Sequence, residues 1–529
     1  MEREVNMTVM DLFKSDQCKR AVAAVQRRAE RQEDINKLID SFFDVGILAQ
    51  IQCDDNQIVY GRRGTGKTHL LKVLKSRVEN VSTVVVYIDL RTLGSTNQFS
   101  DLTLSVKQRC LSLFRDIFGQ IHDELLDFIC ASANQNADKG LEVLSQLNES
   151  FTRTSSITTA SEFQSRVKLS DSGTANATVS ASISQGASAS ISSTESNLKE
   201  REEQIKETKS IISDNVVFPE LDSALRRLLT VMNIRLFILL DEWSSIPRDI
   251  QQYLAEFIKR SVIANPKVTV KIGALEQRST FYQRVRDDLT IGLEVGADIS
   301  AALDLDDYYV FDRSPEQVTN MFMHILHGHL KVDLPMIGDD AESVFTFFSQ
   351  KKAFEELVRA SEGVARDLLY IFSKSYFASL KALRGNIDKP TIIECAREWY
   401  IQDKQGNLGE ELSRVLERIV KEVIGDRKVR SFLIPAGLER HPKMQMLFDA
   451  RVVHLVKRGY ADKDNPGNRY NIYTLDFGTY VDLMNTSIAP KLDFEKTDME
   501  DDKEHFVVPF DDKRRIRRVI LHEKVFSDE

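Results

Sequence analysis

The chain has 529 residues, with 71 Lys and Arg against 80 Asp and Glu, a net charge of −9. That length suggests roughly two to four domains, and 42% hydrophobic with 29% charged residues lets most of the chain bury a core. The acidic balance argues against a protein that coats nucleic acid along its whole surface, yet it leaves room for a local basic face. Five cysteines (Cys18, Cys53, Cys110, Cys130, Cys395) are scattered without a CxxC pair, so the expectation is a reduced, cytoplasmic chain without a disulfide or zinc framework. The first twenty residues hold no apolar signal-peptide core, and no run approaches the ~18 apolar residues of a spanning helix.

In chain order, residues 17–34 read as a charged helix and 35–49 as a second, more apolar one. Gln57-Ile58-Val59-Tyr60 is a short apolar run that ends in glycine, a buried strand feeding a loop. Helical spacing follows over His69 to Val78. Further buried strands are expected at Thr83–Leu90, Arg235–Leu240 and Lys267–Ile272, with a fifth at Asp307–Phe311. β-branched runs of this kind, separated by helices, predict a parallel sheet covered on both faces. The gap from about 95 to 215 exceeds what a crossover needs, so it is an insert. Within it Ala175, Ala177, Val179, Ala181 and Ile183 alternate with polar residues. Gln185-Gly186 interrupts, and Ala187, Ala189 and Ile191 resume the alternation. A period of two around a turn signal predicts a β-hairpin over 174–192, with helical stems at 141–150 and 197–212. Helices are expected at 315–330, 353–383 and 408–424.

Gly61-Arg62-Arg63-Gly64-Thr65-Gly66-Lys67-Thr68 fits G-x-x-x-x-G-K-[ST], with a strand before it and a helix after it. Glycines there let backbone N–H groups turn inward around phosphate, and the following helix points its positive end at the same anion. The binding residues are then Gly61, Arg63, Gly64, Thr65, Gly66, Lys67, Thr68 and His69, for ATP with Mg²⁺. Lys67 reaches the β- and γ-phosphates and Thr68 holds the metal. The third strand ends in Asp241-Glu242. An acid at that strand tip suits the magnesium shell, and the next carboxylate suits a base for water.

With these residues on the page, the chain resembles an AAA+ ATPase of the origin-recognition-complex type. The likeness is carried by GRRGTGKTHLL from Gly61, VVVYIDLR, FILLDEW, KIGALEQRS and Ser361-Glu362-Gly363-Val364-Ala365-Arg366-Asp367. It implies a P-loop AAA+ α/β fold, a parallel sheet with a helical lid. It further implies that Arg366, at the start of a lid helix, touches the γ-phosphate, so that Lys67, Glu242 and Arg366 are the catalytic group. Sensor 1 is unassigned, because Gly273-Ala274-Leu275-Glu276 follows the fourth strand. Arg260, Arg278 and Arg284 are candidate arginine fingers if subunits assemble.

Residues 406–484 look like the family's C-terminal winged-helix domain: a helix, a candidate recognition helix at Met444–Lys457, and two strands around Asn465-Pro466-Gly467-Asn468. Between Arg427 and Arg469 ten Lys or Arg face four Asp or Glu, a local net of +6. Arg451, Lys457, Arg458, Lys463 and Arg469 are therefore the candidates for duplex DNA, against the alternative of a packing module. The expected division is 1–35 N-terminal helix, 36–312 base with its inserted β-hairpin arm, 313–405 lid, 406–484 winged helix and 485–529 charged tail.

The arm reads as a solvent-exposed hairpin, an oligomer contact or strand barrel, or a membrane element. Its mostly alanine face gives little transfer free energy, which disfavours the membrane. His324, His327 and His329 read as histidines at a helix C-terminus rather than a zinc site. The expected function is an ATP-hydrolysing switch that couples nucleotide state to homo-oligomer assembly and DNA binding. A separate effector protein is expected as partner, and bacterial anti-phage defence is one setting for it. The alternative is a nucleotide-gated scaffold or membrane-active ring built on the hairpins, without DNA.

Overall fold

Four of the expected strands become neighbours in one parallel sheet: β1 (Gln57–Tyr60), β2 (Thr83–Asp89), β3 (Arg235–Asp241) and β4 (Val268–Ala274). A hairpin of β5 (Tyr282–Arg286) and β6 (Leu289–Gly292) follows, and β7 (Ala301–Asp304) completes the sheet in the order β2-β3-β4-β1-β7. These come from a computed structural model that describes residues 9–93, 101–131, 135–152, 217–287, 289–309, 315–427, 429–461, 467–483 and 519–527. The chain divides into two compact units, Met1–Asn148 with Phe218–Glu529, and Glu149–Val217. The fold here is that of the first. The hairpin expected at 174–192 and the stem at 197–212 lie outside the described residues, while the first stem falls in the helix Ala137–Thr152.

The sheet order is what makes a site. β1 and β3 both pair with β4, at Val59↔Gly273 and Leu240↔Ile272. The loop after β1 and the acids after β3 therefore open over the end of β4, the kind of crevice where open α/β sheets bind ligands. One face of the sheet packs Val59, Val85, Phe237 and Leu239 on Leu70, Val73 and Leu74 of the helix Lys67–Val78 and on Ile47, Leu48 and Ile51. On the helices Val106–Ala131, Phe218–Val231 and Arg248–Ile258, Phe114, Phe218 and Phe257 form an edge-to-face cluster with centroids 5.2–6.1 Å apart.

A second core is continuous from the N-terminal segment to the last residues. It joins Phe13 and Val22 to Phe322, Phe354 and Phe372 of the helices Pro315–Lys331, Lys351–Ala360 and Ala365–Lys381, and then to Leu447, Tyr473 and Phe526. The C-terminal part is an antiparallel sheet, β8 (Ser431–Pro435), β9 (Val453–Ala461) and β10 (Arg469–Leu475), in the order β8-β10-β9. Residues of the tail dock on it: the Leu433 N–H donates to the Val519 carbonyl at 2.8 Å, the Leu433 carbonyl accepts from the Leu521 N–H at 2.9 Å, and Phe526 stacks on His441.

Several expectations need correction. The fifth strand is Ala301–Asp304, and Asp306–Tyr309 is a helical turn whose start is capped by Asp304, which accepts from the Asp306 N–H at 3.0 Å. As an edge strand pairing with β1 alone, β7 is Ala-Ala-Leu-Asp, exposed or half-buried, without the β-branched, buried residues that mark its neighbour. The charged helix at 17–34 is shorter, Asp16–Ala24, and the helix at 35–49 is two, Ile35–Ser41 and Ile47–Ile51. Asp44 separates them by accepting from the Gly46 and Leu48 N–H groups. The helix at 353–383 breaks at Gly363 (φ 74°), where a Cβ would lie 2.0 Å from the Tyr309 carbonyl oxygen. The candidate recognition helix ends at Asp449. Arg451 (φ 61°) turns the chain, and Val453 onward pairs with β10, which places Lys457 and Arg458 on a strand.

Candidate functional site: the phosphate loop, the acid pair and the lid

The loop after β1 needs its glycines. Gly66 (φ 100°) caps the helix Lys67–Val78 in a left-handed conformation. Gly64 (φ 88°) lies so close to the lid that a Cβ would sit 2.7 Å from the Arg366 Cβ. The Arg366 N–H donates to the Gly64 carbonyl at 3.1 Å, so the first turn of Ala365–Lys381 is seated on the loop.

Lys67 Nζ donates to the Gly61 and Arg62 carbonyls at 2.7 and 3.0 Å. Burial pushes its ammonium below the ordinary lysine range, and the carboxylates of Glu242 and Asp241 pull it back up. Asp241 is fully buried. Its Oδ2 accepts from the Thr68 hydroxyl at 2.7 Å and the Tyr87 hydroxyl at 2.8 Å, and its Oδ1 accepts from the Glu242 N–H at 2.8 Å. Burial and Asp241 hold the Tyr87 phenol well above its usual range, so it remains a donor. Gly273 on β4 makes room for this carboxylate: a Cβ there would lie 2.7 Å from Asp241 Oδ1. Thr68 and Asp241 thus offer two hard oxygen ligands side by side, which fits a magnesium ion.

Glu242, directly after β3, takes a left-handed backbone (φ 57°). Burial, then the charge of Asp241, raises its carboxyl above the ordinary range, against the pull of Lys67 and Arg91. Arg91 stands 3.8 Å from Glu242 and is bound to Asp89. Arg366 is depressed by burial and by the like charges of Arg28 and Arg451. A cavity of about 900 Å³ is lined by Arg63, Gly64, Gly66, Lys67, Thr68, His69, Glu242 and Arg366. Cations crowded and desolvated in this way favour an anion. Thr65 and Asp241 stand behind that wall, and the His69 ring meets the Leu38 carbonyl at 2.6 Å. Sequence reasoning did not single out Tyr87 or Arg91; both follow from β2 lying beside β3, a pairing no local pattern encodes.

Arg62, an unrestricted position in the motif, is buried. It donates through Nε to Asp306 at 2.8 Å and through Nη2 to the Glu362 carbonyl at 3.2 Å, and it meets Nδ1 of His454 on β9. The other His454 nitrogen faces Asp476 at 2.8 Å. A neutral ring with Nε2–H toward Asp476 and a lone pair toward Arg62 satisfies both, and burial pushes its pKa down to about 3. His329, half-buried with its ring 6.0 Å from that of His69, is also pushed down to about 3 by desolvation and by that neighbour. His324 stacks on Phe43 and His327 meets the Gly338 carbonyl, so the three histidines serve three different neighbours.

These depressed histidines fix a sign for acid stability. Unfolded, they take a proton near pH 6.5; folded, near 3. Their contribution is fully present above the unfolded value and is lost as pH falls toward the folded one, by about 1.4 kcal/mol per pH unit for each group. Urea midpoints between pH 7 and 5 are expected to fall more steeply for the wild type than for His454→Gln. Equal slopes would show that His454 is not held neutral.

The DNA candidates divide. Arg451 is buried and bound to Asp367 and Asp403, and Arg458 is bound to Glu276 at 2.6–2.7 Å and to Asp304 at 2.9 Å. Arg451 is thereby committed inside the fold, while Arg458 stays exposed and is held in ion pairs with two acids. Lys457 and Arg469 are exposed, and Lys463 lies outside the described residues. Of the arginine-finger candidates, Arg278 is bound to Asp449 and Arg260 to Glu256.

Residues 25–300 match the family model described as ORC-CDC6-like. Among solved structures the chain is similar to the ORC2 protein of Aeropyrum pernix, with 14% identity over 83% of this chain and 92% of that one and a TM-score of 0.38. It is similar to Cdc6p of Pyrobaculum aerophilum, with 12% identity over 87% and 96% and a TM-score of 0.33. The Drosophila ORC bound to DNA gives 12% identity, 91% and 95% coverage and a TM-score of 0.31. No curated protein matches. The family match spans more than half of the 529 residues, and with its five-stranded parallel sheet this chain belongs to the ORC-CDC6-like family of AAA+ fold.

Proposed function

We propose that the protein binds ATP with Mg²⁺ between the loop and the lid, hydrolyses it, and uses the γ-phosphate to set the position of the lid and the C-terminal sheet. The observation that supports this best is the convergence of Lys67, Thr68, Asp241, Glu242 and Arg366 around one cavity. Lys67 and Arg366 would hold the β- and γ-phosphates, Thr68 and Asp241 the magnesium, and Glu242 the attacking water. Bound magnesium neutralises charge that develops on the phosphate oxygens. Size and ATPase rate, measured with and without ATP and duplex DNA for wild type and Lys67→Ala, test the reading. It requires that ATP alter assembly and that turnover be lost in the variant.

We read residues 406–484 as a winged helix that meets duplex DNA through the strand pair β9–β10, where Lys457 and Arg469 are exposed. The double change Lys457→Glu with Arg469→Glu should weaken duplex binding by about tenfold and lower the salt slope by roughly 2. An unchanged salt slope would make this module a protein-packing element instead.

A further inference from the structure

Arg451 belongs to the C-terminal module by sequence, yet it borders the nucleotide cavity. Its positive φ of 61° turns the side chain inward, where the guanidinium grips Asp367 and Asp403. Asp367 directly follows Arg366 on the first turn of Ala365–Lys381 and is wholly buried. Burial alone would raise its carboxyl, but Arg451 and Lys404 hold it below the ordinary carboxylate range. Lys404 stands 3.0 Å from Asp367 and 2.6 Å from Asp476, whose partner His454 meets Arg62 of the phosphate loop. A chain of paired polar and charged groups, with the neutral His454 ring as one link, thus leads from the loop, through the C-terminal sheet, back to the residue beside the lid arginine.

A buried carboxylate tolerates its place only while its cations remain. Without Arg451, Asp367 keeps Lys404 alone, which Asp476 already shares. The carboxylate then takes up a proton or turns toward water. Either response shifts the helical turn that carries Arg366, and that turn is seated on Gly64 by one backbone bond.

We infer that Arg451 is a positioning residue for Arg366, acting through Asp367, so that discrimination between ATP and ADP depends on the docked C-terminal module. The inference rests on the reading of Arg366 as the γ-phosphate contact. The measurement is the affinity of the full chain for a non-hydrolysable ATP analogue and for ADP, with melting followed in parallel. Arg366→Ala is expected to reduce the preference for the triphosphate by about tenfold. Arg451→Met should reduce it by a similar factor with ADP affinity within about twofold, and Arg451→Lys should recover part of it. The double variant should lose no more than Arg366→Ala alone, since both act on one contact. Asp367→Asn keeps the shape, removes the charge and carries the same expectation if Arg451→Met does not fold. Should Arg366→Ala shift the preference while Arg451→Met and Asp367→Asn change both nucleotides equally or neither, Arg451 is structural only and the inference is overturned. If Arg366→Ala leaves the preference unchanged, the γ-phosphate reading fails and takes this inference with it.

Discussion

Lys67→Ala is expected to lose ATP binding by about a hundredfold or more while the protein stays folded. The side chain is buried and its ammonium is depressed by desolvation, with two loop carbonyls as its present partners. A triphosphate would supply charged oxygens in their place, and charge-assisted bonds in a desolvated site are the strong ones. Truncating one partner of such a buried pair costs roughly 2–5 kcal/mol of binding, and about 2.7 kcal/mol is a hundredfold. Stability should change little, because the variant also removes a desolvated charge. Calorimetric titration with ATP and Mg²⁺ gives the affinity, and a urea melt gives the fold. If Lys67→Ala bound ATP within about threefold of wild type, the loop would not be the seat of the phosphates, and the reading of the whole cavity would fall.

What could be read from the chain, and what could not, follows from where each signal is stored. The strands before the loop and before Asp241 carry buried, continuous apolar runs, so spacing located them almost to the residue. The edge strand Ala301–Asp304 opens on small, exposed residues in place of a β-branched buried run, whereas Asp307-Tyr308-Tyr309, which has strand-like composition, forms a helical turn. The stretch from Met444 to Lys457 mixes apolar and basic residues in a way that suits a helix. The pairing of Val453 to Ala461 with β10 is a tertiary choice that overrides that pattern. Charge misled in a similar way. The basic excess over 427–469 includes Arg451 and Arg458, whereas Asp367 and Asp403 pair with the first, and Glu276 and Asp304, distant in sequence, with the second. Arg62 shows the reverse error: a position the motif leaves open turns out to join the loop, the lid and the C-terminal sheet.

Glu242→Gln is expected to keep ATP and stop turnover. Its backbone N–H is bonded to Asp241, so the residue is fixed at the strand tip, and its carboxylate faces the cavity with about a quarter of its surface exposed (27%). Burial and the neighbouring acid raise its proton affinity. A base of raised pKa takes a proton from water more readily as the water oxygen bonds to the γ-phosphorus and the bond to the β–γ bridging oxygen breaks. Glutamine has the same shape and still accepts a hydrogen bond, but it cannot take the proton. The turnover rate should therefore fall by roughly 10²–10³ while ATP affinity stays within about threefold. The wild-type rate should also fall as pH drops through a value above the ordinary carboxylate range, because the active form is the deprotonated one and its proton affinity is raised. Single-turnover hydrolysis across that pH range, beside equilibrium ATP binding at each pH, separates the two effects. A Glu242→Gln protein that turned over within about threefold of wild type would move the catalytic base elsewhere in the cavity. Loss of binding together with turnover would make Glu242 a ligand rather than a base.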